Sequence, residues 1–152
     1  MRHLFFQGGR PIVLDVPPPT PEPGRVLVDV HFSAVSPGTE GALLRSSGRS
    51  FLSLALEKRR RVDRLVDAVR RRDFADVRRR FQRLAERTQT WYAPGYSASG
   101  LVRAVGPGVD GFAPGDRVAV AGAGYAAHAE QVAVPRNLVV PVPRSLVLEH
   151  AS

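Results

Sequence analysis

Gly106-Pro107-Gly108-Val109-Asp110-Gly111 fits G-x-G-x-x-G, a spacing that can aim backbone amides at a pyrophosphate. That chemistry needs a helix opening at the last glycine, so that its first N–H groups face the phosphates. Here Phe112-Ala113-Pro114-Gly115 follows, which no helix interior tolerates, so the stretch reads as a turn between strands. The Ala121-Gly122-Ala123-Gly124 run reads as a loop on the same grounds. The chain has no cysteine, which excludes disulfides, thiolate catalysis and cysteine-ligated zinc. Of the four histidines, His31 falls on the solvent side of an alternating strand, and His3, His128 and His150 read as structural. Thr39 and Glu40 follow Ser36-Pro37-Gly38. The residues alone leave two readings open there, a Pro-Gly turn with a capping threonine and a functional hydroxyl.

The elements that position these residues are mostly short strands. Met1 to Phe6 and Pro11 to Val16 flank Gly8-Gly9 as a hairpin, and the proline-rich connector from Pro17 to Gly24 cannot join a ladder. Along Arg25 to Ser36, Val26, Val28, Val30 and Phe32 alternate with Leu27, Asp29 and His31, the period of a half-buried strand. After Trp91 and Tyr92, β-rich runs at Gly100–Val102, Arg117–Val120 and Gln131–Val134 are separated by glycine and proline. Leu138 to Pro143 makes a last short strand, and Ser145 to Ser152 begins a helix with Ser145 as N-cap. This is the pattern of a small barrel.

About residues 41–90 interrupt it. Val62, Leu65, Val66 and Val69, then Phe74, Val77, Phe81 and Leu84, recur at helical spacing, with Asp73 as an N-cap between them. The net charge of +8 sits in this insert: residues 45–87 carry 15 Arg and Lys against 6 Asp and Glu. Arginine clusters on helices can track a phosphate backbone, so a binding module for nucleic acid or another acidic partner is the alternative reading of the chain. Without a reader motif and with few interleaved aromatics, a solvated charged face is favoured. No apolar run suits a signal peptide or reaches a membrane span of ~18 residues, which makes a cytoplasmic protein the expectation.

The order G-Y-S-A-S-G-L-V-x-x-V-G-x-G-V-x-G-F-x-x-G-D-R-V, followed by A-E-Q-V-A-V-P, resembles the N-terminal domain of medium-chain dehydrogenases/reductases. These are the zinc-type alcohol dehydrogenases and their quinone- and enoyl-reductase relatives. The resemblance runs from the P-P-P-x-P-x-P-G turn to Glu149. It implies a mainly β, partly open GroES-like barrel, α+β once the helical insert is counted, spanning residues 1–152 as one domain.

It also implies a site. The family's zinc-ligand cysteine, proton-relay hydroxyl and acid fall on Pro37, Thr39 and Glu40, and its G-H-E motif falls on Gly95-Tyr96-Ser97. A catalytic zinc takes three protein ligands, and none of the three types is kept, so no zinc is expected there. Thr39, Tyr96 and Ser97 are the expected catalytic hydroxyls, converging on a substrate oxygen if the family geometry holds. The resemblance implies NAD(P)H for the complete enzyme, held by a Rossmann domain in a longer or separate chain. The substrate would be a small carbonyl, alcohol or enoyl compound. The chain alone is expected to bind no cofactor and to be inactive. It reads as truncated at the start of the interdomain helix, with apolar surface left for a second chain or self-association.

Overall fold

The computed structural model describes residues 1–47 and 91–152, and the predicted arginine-rich helices, including their Asp73 cap, lie outside them. The chain divides into two compact units, one of Met1–Phe5, Ile12–Gly41 and Ala93–Ser152, the other of Phe6–Pro11 and Ala42–Tyr92. In the second, Phe6 and Tyr92 exchange backbone hydrogen bonds of 2.7 and 3.1 Å. Strands β1 (Arg2–Gln7) and β2 (Arg10–Asp15) form the expected hairpin, with Gly8 and Gly9 at φ +57° and +78°. Both central residues at positive φ is the backbone of a turn that follows strand twist.

The first unit carries a five-stranded antiparallel sheet. Its strands are β3 (Arg25–Ser33), β4 (Ser97–Val105), β5 (Arg117–Ala121), β6 (Gln131–Pro135) and β7 (Val139–Pro141), in the order β6-β3-β4-β5-β7. Val26, Val28, Val102, Val118, Val120, Val132, Val134 and Val139 pack one core with Ala98 and Ala126. β-branched side chains suit this because they lose little freedom on a pleated surface. The result is a curled, partly open barrel sheet, the architecture that the resemblance implies. At its centre the Cβ of any other residue at position 100 would fall on the carbonyl of Asp29, so Gly100 is what lets β3 and β4 approach.

Two bulges bend the central pair. Opposite Leu27 and Val28 the extra residue is Arg103, and opposite Ser99 and Gly100 it is His31. The second bulge breaks the alternation read from the sequence. Phe32, which an uninterrupted period of two places with the valines, is 41% exposed.

The segment Ser36 to Glu40 is the start of helix α1 (Pro37–Ser47), not a free turn. The cap is Ser36 and not Thr39: Ser36 Oγ accepts from the Thr39 N–H at 3.4 Å, and its carbonyl accepts from the Glu40 N–H at 2.9 Å. Pro37 takes the first helical position, where its fixed φ fits and its missing N–H costs nothing.

After β6, a 3₁₀ turn (Arg136–Leu138) leads into β7, and the chain closes in another (Leu148–Ala151). Ser145 caps nothing there: the residue before the turn is Val147, with no side-chain cap. The closing segment is held by the sheet instead. The fully buried Ser99 donates to the Leu148 carbonyl at 2.5 Å, and the Arg117 guanidinium donates to that of Leu146.

Candidate functional site

The G-x-G-x-x-G stretch forms a turn with no helix behind it. Asp116 accepts from the Ala113 N–H at 2.8 Å, and every pairing in the five-stranded sheet is antiparallel. A dinucleotide cradle needs a parallel βαβ unit, and the described residues contain none.

Thr39 lies exposed in the first turn of α1, and Tyr96 is exposed just before β4. Ser97 opens β4 half-buried, paired with Ala121, and its carbonyl accepts from the Ala34 N–H at 3.1 Å. That bond brings β4 beside the entry to α1. Among the described residues no hydrogen bond links the side chains of Thr39, Tyr96 and Ser97. Pro37, Tyr96 and Ser97, at the expected ligand positions, offer no thiolate, imidazole or carboxylate. No group of three His, Cys, Asp or Glu among the described residues could hold a metal ion. The donor set does not fit the zinc of the resembling enzymes.

The most connected polar group lies deeper. Glu40 points inward from the first turn of α1 and is only 6% exposed. His128 is set opposite by backbone bonds on both sides, its N–H to the Pro94 carbonyl at 3.0 Å and its carbonyl from the Leu4 N–H at 2.9 Å. Gly95 makes this possible, because at φ +105° a Cβ there would meet the backbone of Ala126, Ala127 and His128. The imidazole bridges two partners: Nε2 lies 3.1 Å from Glu40 Oε1, and Nδ1 lies 2.9 Å from Ser33 Oγ.

Ser33 and His128 also line a cleft of about 350 Å³ with His3, His31, Phe32 and Glu130. His3 Nε2 is buried there without a hydrogen-bond partner among the described residues. Burial pushes the His3 pKa down, and the neighbouring His128 adds to the shift, so this ring is neutral at pH 7. At the rim the Arg2 backbone N–H and guanidinium, in that order, hold the Glu130 carboxyl below its usual range.

In the sequence Glu40 stands out only as the family's acid position, and His128 reads as structural. Ser33 went unmarked. These residues meet across 95 and 88 positions of chain, a separation no local pattern reports.

Comparison with known proteins places the fold. Residues 66–144, just over half of the chain, match the family model of the alcohol dehydrogenase GroES-like domain. No curated protein matches by sequence. An alcohol dehydrogenase superfamily protein from Novosphingobium aromaticivorans superposes with a TM-score of 0.62 at 24% identity, over 100% of this chain and 37% of its own. The quinone oxidoreductase from Coxiella burnetii gives 0.63 at 18% identity, over 99% and 39%. The quinone oxidoreductase from Thermus thermophilus, solved also in complex with NADPH, gives 0.57 at 20% identity, over 99% and 35%. The chain thus spans little more than a third of the length of these structures.

Proposed function

The chain belongs to the alcohol dehydrogenase GroES-like domain family, and on that premise we propose that it is the substrate-side domain of a zinc-independent NAD(P)-dependent oxidoreductase. The observation that carries this reading is the replacement of every expected zinc donor, while two hydroxyls near α1 stay open. Thr39 and Tyr96 are exposed, and among the described residues no hydrogen bond to either hydroxyl is found. With Ser97 they are the groups to donate hydrogen bonds to the oxygen of a small carbonyl or enoyl substrate. Such donors stabilise developing negative charge where water is excluded.

NAD(P)H, when bound, would supply the hydride. The described residues offer it no cradle, so a Rossmann domain, in a longer or a separate chain, is the partner proposed to hold it. The Thermus thermophilus structure with NADPH supports that choice of cofactor. The chain alone is then inactive.

The test joins metal analysis to kinetics. Purified chain should contain substoichiometric zinc and oxidise no NADPH. Supplying a cofactor domain should give reductase activity that Thr39→Val and Tyr96→Phe each lower by roughly 10²-fold in kcat, the scale for losing one such donor. Stoichiometric zinc at these positions, or activity indifferent to both variants, would overturn the reading.

A further inference from the structure

Glu40, His128 and Ser33 stand in series, acid to imidazole to hydroxyl, and the series ends in the wall of the cleft. The acid fixes the state of the ring. A carboxylate can only accept, so His128 donates its Nε2–H to Glu40, and in the neutral imidazole Nδ1 is left with a lone pair. Ser33 Oγ, 2.9 Å away, then donates its proton to Nδ1. Nucleophile and base lie within reach of each other, and a buried third group orients the base. The His128 side chain is 9% exposed and that of Glu40 7%, so water competes little for either bond.

The cleft adds a fourth element. His3 stays neutral and its Nε2 has no hydrogen-bond partner among the described residues, which makes it the one described ring in this wall with an uncommitted buried nitrogen. A neutral imidazole carrying its proton on Nε2 can donate to an oxygen gaining negative charge. Val30 and Phe32 supply apolar lining beside the polar groups, and the volume suits a small molecule.

We propose that Ser33 is an activated nucleophile toward small activated esters, with His128 as its base, Glu40 as the residue that orients the base, and His3 as a donor to the carbonyl oxygen. In the first step the bond from Ser33 Oγ to the acyl carbon forms and the ester C–O bond breaks. The serine proton passes to His128 Nδ1 and then to the leaving alkoxide or phenoxide. In the second step water adds to the acyl carbon, His128 takes its proton, and the carboxylic acid leaves as Ser33 regains its hydrogen. No electrons are exchanged and no further reactant is needed. This chemistry is separate from the proposed hydride transfer and uses none of Thr39, Tyr96 or Ser97.

The experiment treats the full chain with p-nitrophenyl acetate, and separately with a fluorophosphonate, and maps the modified residue by peptide mass. The expected result is one phosphonyl group on Ser33, and one acyl group when the acetate reaction is quenched before hydrolysis, each acquired at least about tenfold faster than on the exposed Ser145 of the same molecules, a threshold below the roughly 10²–10⁴-fold that general base catalysis supplies. Ser33→Ala should abolish the site. His128→Gln should slow modification of Ser33 at least tenfold, and Glu40→Gln should slow it by less. The comparison with Ser145 needs no variant, so it decides the matter even if His128→Gln does not fold. Modification spread evenly over both serines, confined to another residue, or absent would overturn the proposal. So would a rate at Ser33 unchanged in a folded His128→Gln protein.

Discussion

Between Val26 and Val28, β3 is held by packing: three successive buried residues pair in order with β6 and, around the bulge at Arg103, with β4. Between His31 and Ser33 the same strand is held by directional bonds, with a bulge, an exposed phenylalanine and a serine bonded to a distant imidazole. The first half draws its stability from apolar burial, about 1.5–3 kcal/mol for each fully covered aliphatic side chain. The second half buries little, and it gains a defined position for a few polar atoms. Nine residues of one strand thus serve as scaffold at one end and as a site at the other. A bulge is the device that separates the roles, because one extra residue re-aims everything after it.

The largest effect should come where the halves join. Gly100→Ala drives a Cβ into the Asp29 carbonyl and must part β3 from β4. Denaturant unfolding should show a loss of about 3 kcal/mol or failure to fold, the upper range for forcing atoms into packed space. A loss below about 1 kcal/mol would mean that the strands can spread at no great cost, and the scaffold description would fail.

Substitutions within each half sharpen the contrast. Val28→Ala should cost about 2 kcal/mol through lost contacts and the cavity left behind. Phe32→Ala, four positions on, should stay within about 0.5 kcal/mol as a surface change, although it removes the larger side chain. Equal losses would erase the distinction between the two ends.

The smallest effect concerns His3. Its folded pKa lies below the ordinary 6.5, so the unfolded chain binds more protons and stability rises with pH. The contribution is fully present above about pH 6.5 and is lost as the pH falls toward the folded value, where the dependence levels off. His3→Gln should flatten this part of a stability profile measured from pH 5 to 8. A profile unchanged by the substitution would place His3 in water.

The strands were legible in the sequence because valines at period two, cut by glycine and proline, leave few other arrangements. The start of α1 was not, since proline and glycine in succession open helices as readily as they make turns, and the deciding Ser36 cap is a matter of geometry. The bulge at His31 was invisible because the hydrophobic pattern runs through it unbroken. Thr39, Tyr96 and Ser97 could be named only through resemblance. The bonds from His128 to Ser33 and Glu40 could not be named at all, because nothing local in any of the three segments announces the other two.

Gly95 lies against the backbone of residues 126–128, and the carbonyl before it takes the His128 amide hydrogen. The peptide that carries Tyr96 and the loop that carries the imidazole are therefore one mechanical part. A side chain added at position 95 would displace tyrosine and histidine together, so a single lesion would strike both proposed chemistries, while lesions at either residue alone would leave the other intact.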